Sequence, residues 1–305
     1  MLYDYYSGAW IPASAGTTSN MNNSNQKLVS IGLPVYNGMP LLQKAVDSAL
    51  GQTYRNIELI ITDNASTDGT QALCEEYVKK DKRVRYVRHA KNLGAYDNYN
   101  SSLHTAKGEY FMWGSHDDYW DLRFVEKCIT ALESDTEAAM VMSDFAFTDG
   151  DGKVIQKNDP KKFFPRETGT YARLKHFILM YWGDGKATLI YGIWRKKAIE
   201  HDAYRELPDG DINFVYRGFS RGRFLFVDEV LFYKGVLPDR RSREYEPLTA
   251  SRGISALVTR IKLVRTHLMN AKFSLSIPGL GFGEALSLFY WNCFVAARMF
   301  WKRKL

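Results

Sequence analysis

The most constraining feature of this sequence is a regular alternation of short apolar segments and amphipathic segments between residues 27 and 134. The apolar segments have the length of strands and are Lys27–Pro34, Ile57–Thr62, Val84–Val87 and Gly108–Trp113. The segments between them carry apolar residues at helical spacing, as in Leu42, Ala45, Val46, Ala49 and Leu50. Strands that alternate with helices predict an α/β fold, with a doubly wound, mostly parallel sheet flanked by helices.

Polar residues follow the end of each predicted strand. The loops there contain Pro34–Asn37, Asp63–Asn64, Asn92–Gly94 and Asp117–Asp118. The carboxyl ends of parallel strands meet at one edge of a sheet, and open α/β sheets bind their ligands at that edge. The four loops therefore predict a single binding site. The alternative is that they only cap the following helices, since Asp and Asn favour caps and turns.

The adjacent carboxylates of Asp117 and Asp118 suggest what is bound there. A hard divalent cation that bridges phosphates needs only one or two protein carboxylates, because phosphates and waters supply its other oxygens. No G-x-G-x-x-G follows the first strand and no P-loop lysine motif is present, which disfavours dinucleotide and P-loop sites. A pyrimidine nucleotide could still bind there, with its base and ribose at Asp63 and Asn64 and its diphosphate at a metal on Asp118. A turn with two solvated aspartates is the alternative.

A second acidic cluster, Pro208–Asp211, precedes a predicted helix over Ile212–Ser220. A carboxylate such as Asp211 can act as a general base toward a sugar hydroxyl, which is a poor nucleophile at neutral pH. It can also simply cap the helix, since the helix dipole favours a negative charge there. The basic loop Asp239–Arg243 could close over a diphosphate or be a solvated run of charges.

Composition limits the remaining possibilities. The 305 residues are 45% hydrophobic and carry a net charge of +7, which suits an anionic ligand, an anionic membrane surface or nucleic acid. Nucleic acid is disfavoured because no clustered stripe of basic and aromatic residues is present. The three cysteines, Cys74, Cys128 and Cys293, are too far apart for a metal motif, and a disulfide framework is not expected. A reducing, cytoplasmic location follows as the expectation.

The two ends of the chain differ from its middle. Residues 1–26 are rich in Ser, Asn, Thr and Gly without any period, and we predict a flexible leader. Residues 251–305 are predicted to be helical, with the most apolar part over Ala285–Ala297. A bilayer span needs about twenty apolar residues, so this shorter part predicts an interfacial helix on the inner face of a membrane. A homodimer contact and a core-packing helix are the alternatives.

Taken together, the motifs have a family resemblance. The motifs are Leu33–Asn37, Thr62–Thr70, Asn92–Gly94, Ala106–Tyr110 and His116–Asp118. They resemble those of the family 2 inverting nucleotide-sugar glycosyltransferases of the GT-A fold, over about residues 27–235. The resemblance implies a transferase domain over 27–250, a nucleotide-diphosphate-sugar donor such as a UDP-sugar, and Mn²⁺ or Mg²⁺. It further implies transfer to a glycan or lipid-linked acceptor in polysaccharide or glycoconjugate biosynthesis.

The resemblance also implies roles for individual residues. Asp118 would hold the metal, Asp117 would contact the ribose or donor sugar, and Asp211 would be the catalytic base. The implied nucleotide-sugar site comprises Pro34, Tyr36, Asn37, Asp63, Asn64, Gly94, Asn98, Asp117, Arg241 and Arg243. The sequence departs from the family pattern at three positions, where Asn64, Ser115 and Gly210 replace acidic residues. A catalytically degenerate protein that binds sugar nucleotides or acts as a scaffold is the alternative function.

Overall fold

The computed structural model describes residues 2–4, 9–11, 26–149, 152–158, 169–179, 186–202, 204, 210–236 and 254–301. Its strands are β1 (Leu2–Asp4), β2 (Ala9–Ile11), β3 (Val29–Val35), β4 (Ile57–Asp63), β5 (Val84–Arg88), β6 (Tyr110–Trp113), β7 (Tyr119–Trp120), β8 (Ala138–Thr148), β9 (Val154–Asn158), β10 (Ile193–Arg195) and β11 (Arg223–Gly235). Its α-helices are α1 (Leu42–Leu50), α2 (Thr70–Lys80), α3 (Ala95–Thr105), α4 (Phe124–Glu133), α5 (Thr170–Leu179), α6 (Gly210–Phe219), α7 (Ile254–Ser274) and α8 (Phe282–Trp301).

Within these residues, nine strands form one mixed sheet in the order β5-β4-β3-β6-β10-β8-β11-β7, with β9 paired to β8. The pairs among β5, β4, β3 and β6 are parallel, as is the pair of β8 with β11. All residues of β3 and β4 are buried, as expected for parallel strands with helices on both faces. The predicted α/β fold with a mostly parallel sheet flanked by helices is confirmed.

The alternation of strands and helices brings the carboxyl ends of β3, β4 and β6 to one edge. The buried face of α1 consists of Leu42, Ala45, Val46 and Ala49, as its helical spacing predicts. The largest fully buried side chains include Trp113 at the end of β6 and Trp194 in β10. The core therefore continues up to the edge at which the polar loops begin.

One stretch of the core differs from what its sequence predicts. The apolar run Thr188–Trp194 is typical of a strand, but Lys186–Tyr191 forms a 3₁₀ helix and only Ile193–Arg195 is extended. The Trp194 indole Nε1 donates to the Ile190 carbonyl at 3.1 Å, which stabilises this turn inside the core. An apolar run that is buried on all sides does not reveal its period, so the strand assignment was wrong.

The structure has short strands within the predicted leader and, as predicted, helices at the C-terminal end. Within the predicted leader, β1 and β2 pair as an antiparallel two-stranded sheet, while most of its other residues lie outside the described part. At the other end, α7 and α8 pack on each other, α8 packs on α5, and α7 packs on α6. No helix in the described part of the chain is both long and apolar enough to traverse a bilayer. The predicted boundaries at 27–250 and 251–305 stay predictions.

Candidate functional site

The loops after β3 and β4 are joined by hydrogen bonds. The Asn64 backbone N–H donates to the Val35 carbonyl at 2.9 Å. The Asn37 backbone N–H donates to Ser66 Oγ, and Asn37 Oδ1 accepts from the Thr67 backbone N–H, each at 2.9 Å. The structure thus brings Pro34, Tyr36, Asn37, Asp63 and Asn64 together at one edge of the sheet. Tyr36 is 48% exposed there, so its ring is open to a ligand.

Asp63 is fully buried at the end of β4. Its Oδ2 accepts a 2.6 Å hydrogen bond from the Tyr86 hydroxyl and lies 3.4 Å from Arg88 Nε. Its Oδ1 accepts from the Ser66 backbone N–H at 2.9 Å. Burial, together with the bond to Asp63, raises the pKa of Tyr86 well above its ordinary value, so the phenol remains a hydrogen-bond donor. Asp63 is therefore held in one orientation by the protein.

Asn64 and Asn98 connect this edge to the loop before α3. The Asn64 side chain donates to Asn92 Oδ1 at 2.8 Å and accepts from the Leu93 backbone N–H at 2.7 Å. Asn98 Nδ2 donates to the Val35 and Thr62 carbonyls at 3.3 and 2.9 Å. Both amides therefore use their polar atoms to hold the backbone of three neighbouring segments together.

Gly94 directly precedes α3 and has a positive φ of 86°. A side chain is disfavoured at this backbone conformation. A Cβ placed on Gly94 would have nothing within 4 Å, so the backbone faces open space. The predicted ligand contact at Gly94 would therefore involve exposed main chain at a helix N-terminus.

The loop after β6 carries the paired carboxylates. Asp117 and Asp118 are only 9% and 1% exposed. The Ser115 hydroxyl donates a short hydrogen bond to Asp117 Oδ1, and the Gly235 backbone N–H donates to Asp118 Oδ1 at 3.1 Å. The serine that replaces an acid of the family pattern thus holds Asp117 in this structure. The loop lies beside the one after β3, since the Gly114 backbone N–H donates to the Gly32 carbonyl at 2.8 Å.

Sequence reasoning missed the contribution of the end of β11. A Cβ on Gly235 would overlap the Asp117 carbonyl oxygen, so only glycine fits at this point. Gly235, Asp117, Asp118, Tyr119 and Thr148 line one cleft. No motif in the sequence indicated Gly235, because it lies more than a hundred residues after the carboxylates that it contacts.

The cleft also contains a lysine that sequence reasoning missed. Lys44, on α1, lines the same cleft as Asp117 and Asp118. Its Nζ lies 3.5 Å from the centroid of the Tyr119 ring, which is close enough for a cation–π interaction. Burial lowers the pKa of the Lys44 ammonium. Its amphipathic helix gave no reason to distinguish Lys44 from a solvated charge.

Two partly buried tyrosines lie near Asp118. The Tyr99 and Tyr191 hydroxyls are 3.3 Å apart, and Lys234 Nζ lies 4.5 Å from the centroid of the Tyr191 ring. Burial raises the pKa of both phenols well above the ordinary value, and the charge of Asp118 adds to the effect. Both hydroxyls therefore stay protonated at neutral pH and can donate hydrogen bonds beside the carboxylates.

Asp211 lies in the first turn of α6, where its Oδ1 accepts from the Ile212 backbone N–H at 2.8 Å. One turn later, the Phe214 ring packs edge-on against Trp113, with 5.0 Å between centroids. Trp113 is the last residue of β6, and Gly114–Asp118 follow directly. Helix α6, which carries Asp211, therefore contacts the residue that directly precedes the carboxylate loop. Arg241 and Arg243 lie outside the described residues, so their predicted diphosphate contact stays a prediction.

The carboxylates of Asp117 and Asp118 fit a divalent cation of a particular kind. Within the described ranges, no group of three or more His, Cys, Asp or Glu side chains could hold a metal ion by itself. A cation that also binds a diphosphate needs only one or two carboxylates. The residues present therefore fit a cation shared with a nucleotide diphosphate better than a resident structural metal.

Proteins of a known family resemble this chain in sequence. The family model described as glycosyl transferase family 2 matches residues 30–194. An uncharacterized glycosyltransferase of Rickettsia typhi is 34% identical over 244 residues, which are 77% of this chain and 70% of that protein. By contrast, the chain spans only 18%, 23% and 33% of three other Rickettsia glycosyltransferases.

Solved structures show the same fold. S. aureus TarS 1-349 in complex with UDP-GlcNAc has a TM-score of 0.64 and 17% identity, covering 88% of this chain and 73% of that one. The mannosyltransferase PcManGT from Pyrobaculum calidifontis, in complex with GDP-Man and Mn²⁺, has a TM-score of 0.52 and 14% identity, covering 91% and 75%. At these identities the likeness concerns the fold alone.

Proposed function

The chain belongs to glycosyl transferase family 2, and from that premise we propose that it transfers a sugar from a UDP-sugar to a hydroxyl of a glycan or lipid-linked acceptor. The transfer inverts the anomeric configuration and depends on Mn²⁺ or Mg²⁺. The observation that carries the proposal is the pair of almost fully buried carboxylates, Asp117 and Asp118, at the carboxyl end of β6. UDP is favoured over other nucleotides because the TarS structure contains UDP-GlcNAc.

In this proposal the nucleotide side of the cleft binds and orients the donor. Asp63 and the loop that it holds contact the base, together with Pro34, Tyr36 and Asn37. Gly94, beside Asn64 and Asn98, offers exposed main chain to the donor, and Arg241 and Arg243 bind its diphosphate. Asp117 contacts the ribose or donor sugar, and Asp118 holds the cation. When bound, a divalent cation neutralises the charge of the departing diphosphate.

In the reaction itself, Asp211 acts as the general base. Its carboxylate accepts the proton of the acceptor hydroxyl while the oxygen of that hydroxyl bonds to the anomeric carbon from the face opposite the diphosphate. The bond between the anomeric carbon and the diphosphate oxygen breaks, and its electron pair leaves with the nucleotide. Much of the rate comes from holding the two substrates in line. The phenols of Tyr99 and Tyr191 remain protonated and offer hydroxyl groups beside the carboxylates.

The proposal is tested by calorimetric titration of UDP and UDP-sugars, with and without Mn²⁺. Wild-type protein is expected to bind UDP more tightly with the cation, and Asp118→Ala is expected to lose that enhancement. Asp121→Asn is the matched control, because Asp121 is close in sequence but its carboxylate pairs with Arg123 outside the cleft. Metal-independent binding, or equal binding of GDP, would remove the corresponding part of the proposal. A panel of donors in a melting-temperature assay identifies the sugar.

We further propose a cytoplasmic location, peripheral to the inner face of a membrane. A lipid-linked acceptor is then presented to the cleft from the bilayer surface. A homodimer contact through the same C-terminal helices is the competing proposal.

A further inference from the structure

Helix α8 is apolar on two opposite sides, and only one of them is covered in the described structure. Its inner side packs toward α7 and α5 and buries Ala285, Leu288, Asn292 and Ala296. Its outer side exposes Phe282, Leu286, Tyr290 and Phe294, which are 81%, 49%, 60% and 41% accessible. These four residues are named the outer stripe.

The spacing makes the outer stripe continuous. Successive members are four residues apart, so they occupy an arc of about 120° on a helix with 3.6 residues per turn. The other exposed or half-buried positions in that arc are Gly283, Cys293 and Ala297, and none of them is charged. The outward face of a helix in water is normally polar. An uncharged, aromatic outward face therefore favours an apolar environment on that side.

The charge of the protein is concentrated in the same region. Residues 254–305 contain eight Lys and Arg and one acidic residue, Glu284, whereas the 253 residues before them contain 33 of each sign. The whole net charge of +7 thus belongs to the segment that forms α7, α8 and the tail. On the surface of α5, Lys175 Nζ lies 5.1 Å from the centroid of the Trp291 ring, so a cation lies beside α8.

We propose that the outer stripe binds the surface of an anionic lipid bilayer, with α8 lying in the plane of the membrane. Aromatic and aliphatic side chains on one face, next to an excess of Lys and Arg, are typical of helices at a membrane interface. Anionic lipids attract such a segment. A second copy of this chain is the less suitable partner, because two segments of charge +7 would face each other.

The orientation of α8 on the bilayer follows from the contacts of its inner side with the rest of the protein. Because α8 is packed on the protein along its length, the outer stripe meets a bilayer lengthwise rather than end-on. The inference deepens the peripheral location proposed above by naming the face and the lipid class. It does not depend on the transfer reaction.

The test is co-sedimentation of the full chain with vesicles of phosphatidylcholine alone or mixed with phosphatidylglycerol. Wild-type protein is expected to bind the anionic vesicles far better than the neutral ones, and high salt is expected to weaken the binding. Phe282→Gln with Tyr290→Gln should lower binding about tenfold or more. Val78→Gln with Leu122→Gln is the matched control, since these residues are 42% and 54% exposed on other surfaces.

Several results would overturn the inference. One is absence of vesicle binding by the wild type, and another is an equal loss in the control variant. A third is a lipid-free wild-type dimer that the Phe282 and Tyr290 substitutions convert to a monomer while vesicle binding persists. If that double variant does not fold, vesicle binding by Leu286→Gln replaces it. Wild-type binding at different salt concentrations and lipid compositions then provides the second measurement. Calorimetric binding of UDP is measured on the same samples and should be unchanged, which separates this inference from the proposed function.

Discussion

The proposed site has two regions that are held in place differently. In the first, called the nucleotide side, the loops after β3 and β4 are hydrogen-bonded to each other across about thirty residues of sequence, as Asn37 is to Ser66 and Thr67. In the second region, helix α6, which carries Asp211, is hydrogen-bonded to elements that follow much later in the sequence. Asn213 Nδ2 donates to Asn270 Oδ1, which is 57 residues further along the chain. The Tyr216 hydroxyl lies 2.8 Å from Ser274 Oγ and accepts from Asn292 Nδ2 at 3.4 Å.

These two regions should therefore respond differently to mutation. The nucleotide side is fixed by local contacts of an ordinary parallel sheet. The position of α6, and with it that of Asp211, depends on a buried network of amides and hydroxyls contributed by α7 and α8. We expect changes in the C-terminal helices to affect transfer more than donor binding, and changes near Asp63 to do the opposite.

Replacing Asp211 by Asn has the largest expected effect. Without a carboxylate to take the proton, kcat should fall about 10²- to 10⁴-fold, while UDP binding in a calorimeter stays unchanged. Asp121→Asn removes the same charge outside the cleft and should leave kcat unchanged. If Asp211→Asn turns over at close to the wild-type rate, Asp211 is not the catalytic base, and α6 has only a structural role.

Asn270→Leu tests the remote support of α6. It leaves the buried amide of Asn213 without its partner and should lower the free energy of unfolding by about 1–3 kcal/mol, measured in urea. At a temperature where the variant is folded, kcat should fall while the KM for the donor stays the same. Lys272→Leu, at an exposed position of the same helix, is the control. A change in donor KM alone would contradict the comparison.

Tyr86→Phe tests the nucleotide side in isolation. It removes the hydrogen bond to Asp63, worth about 1 kcal/mol, and should weaken UDP binding about fivefold with little change in kcat. Tyr77→Phe removes an analogous phenol–carboxylate bond, to Asp47, at the surface of the same half. If the two variants lose UDP affinity equally, the orientation of Asp63 has no special part in binding.

The smallest effect concerns the acid stability of the nucleotide half. Burial of Glu58 opposes its ionisation, but bonds from Ser30, the Lys107 backbone N–H and Arg85 outweigh it, so its pKa is lowered. A lowered pKa in the folded state stabilises the protein above the unfolded value of about 4.3, and this contribution is lost as the pH falls through the folded pKa. Glu58→Gln should therefore flatten the fall in unfolding free energy below about pH 4.3. If the fall in unfolding free energy at low pH is the same in Glu58→Gln as in the wild type, other carboxylates cause that fall.

The sequence predicted the nucleotide half in detail because its contacts are local. Strand length, helical spacing and the polar loops after β3, β4 and β6 were sufficient to bring Asp63, Asn64 and Asp118 to one edge. The same local patterns placed Asp211 directly before a helix predicted over Ile212–Ser220, whereas the helix already begins at Gly210. These patterns could not provide the distance between Asp211 and the loops at the edge of the sheet.

The rest required tertiary structure. Gly235 contacts Asp117 across more than a hundred residues, and glycine is common at strand ends simply because turns begin there. The Tyr99–Tyr191 pair and the Asn213–Asn270 pair join elements that no periodicity relates. The prediction of a strand over Thr188–Trp194 was wrong for a different reason. A buried apolar run has no alternation of apolar and polar residues that would distinguish a strand from a helical turn.

Strand β11 joins the two halves directly, because it begins shortly after α6 ends and finishes at Gly235 beside Asp117. Its pairing with β8 shifts between Val227 and Val230. Because of this shift, the number of residues in β11 determines which residue lies beside Asp117. Deleting one residue there would move a side chain into the place that Gly235 keeps open. We therefore expect a one-residue deletion between Val227 and Gly235 to be poorly tolerated.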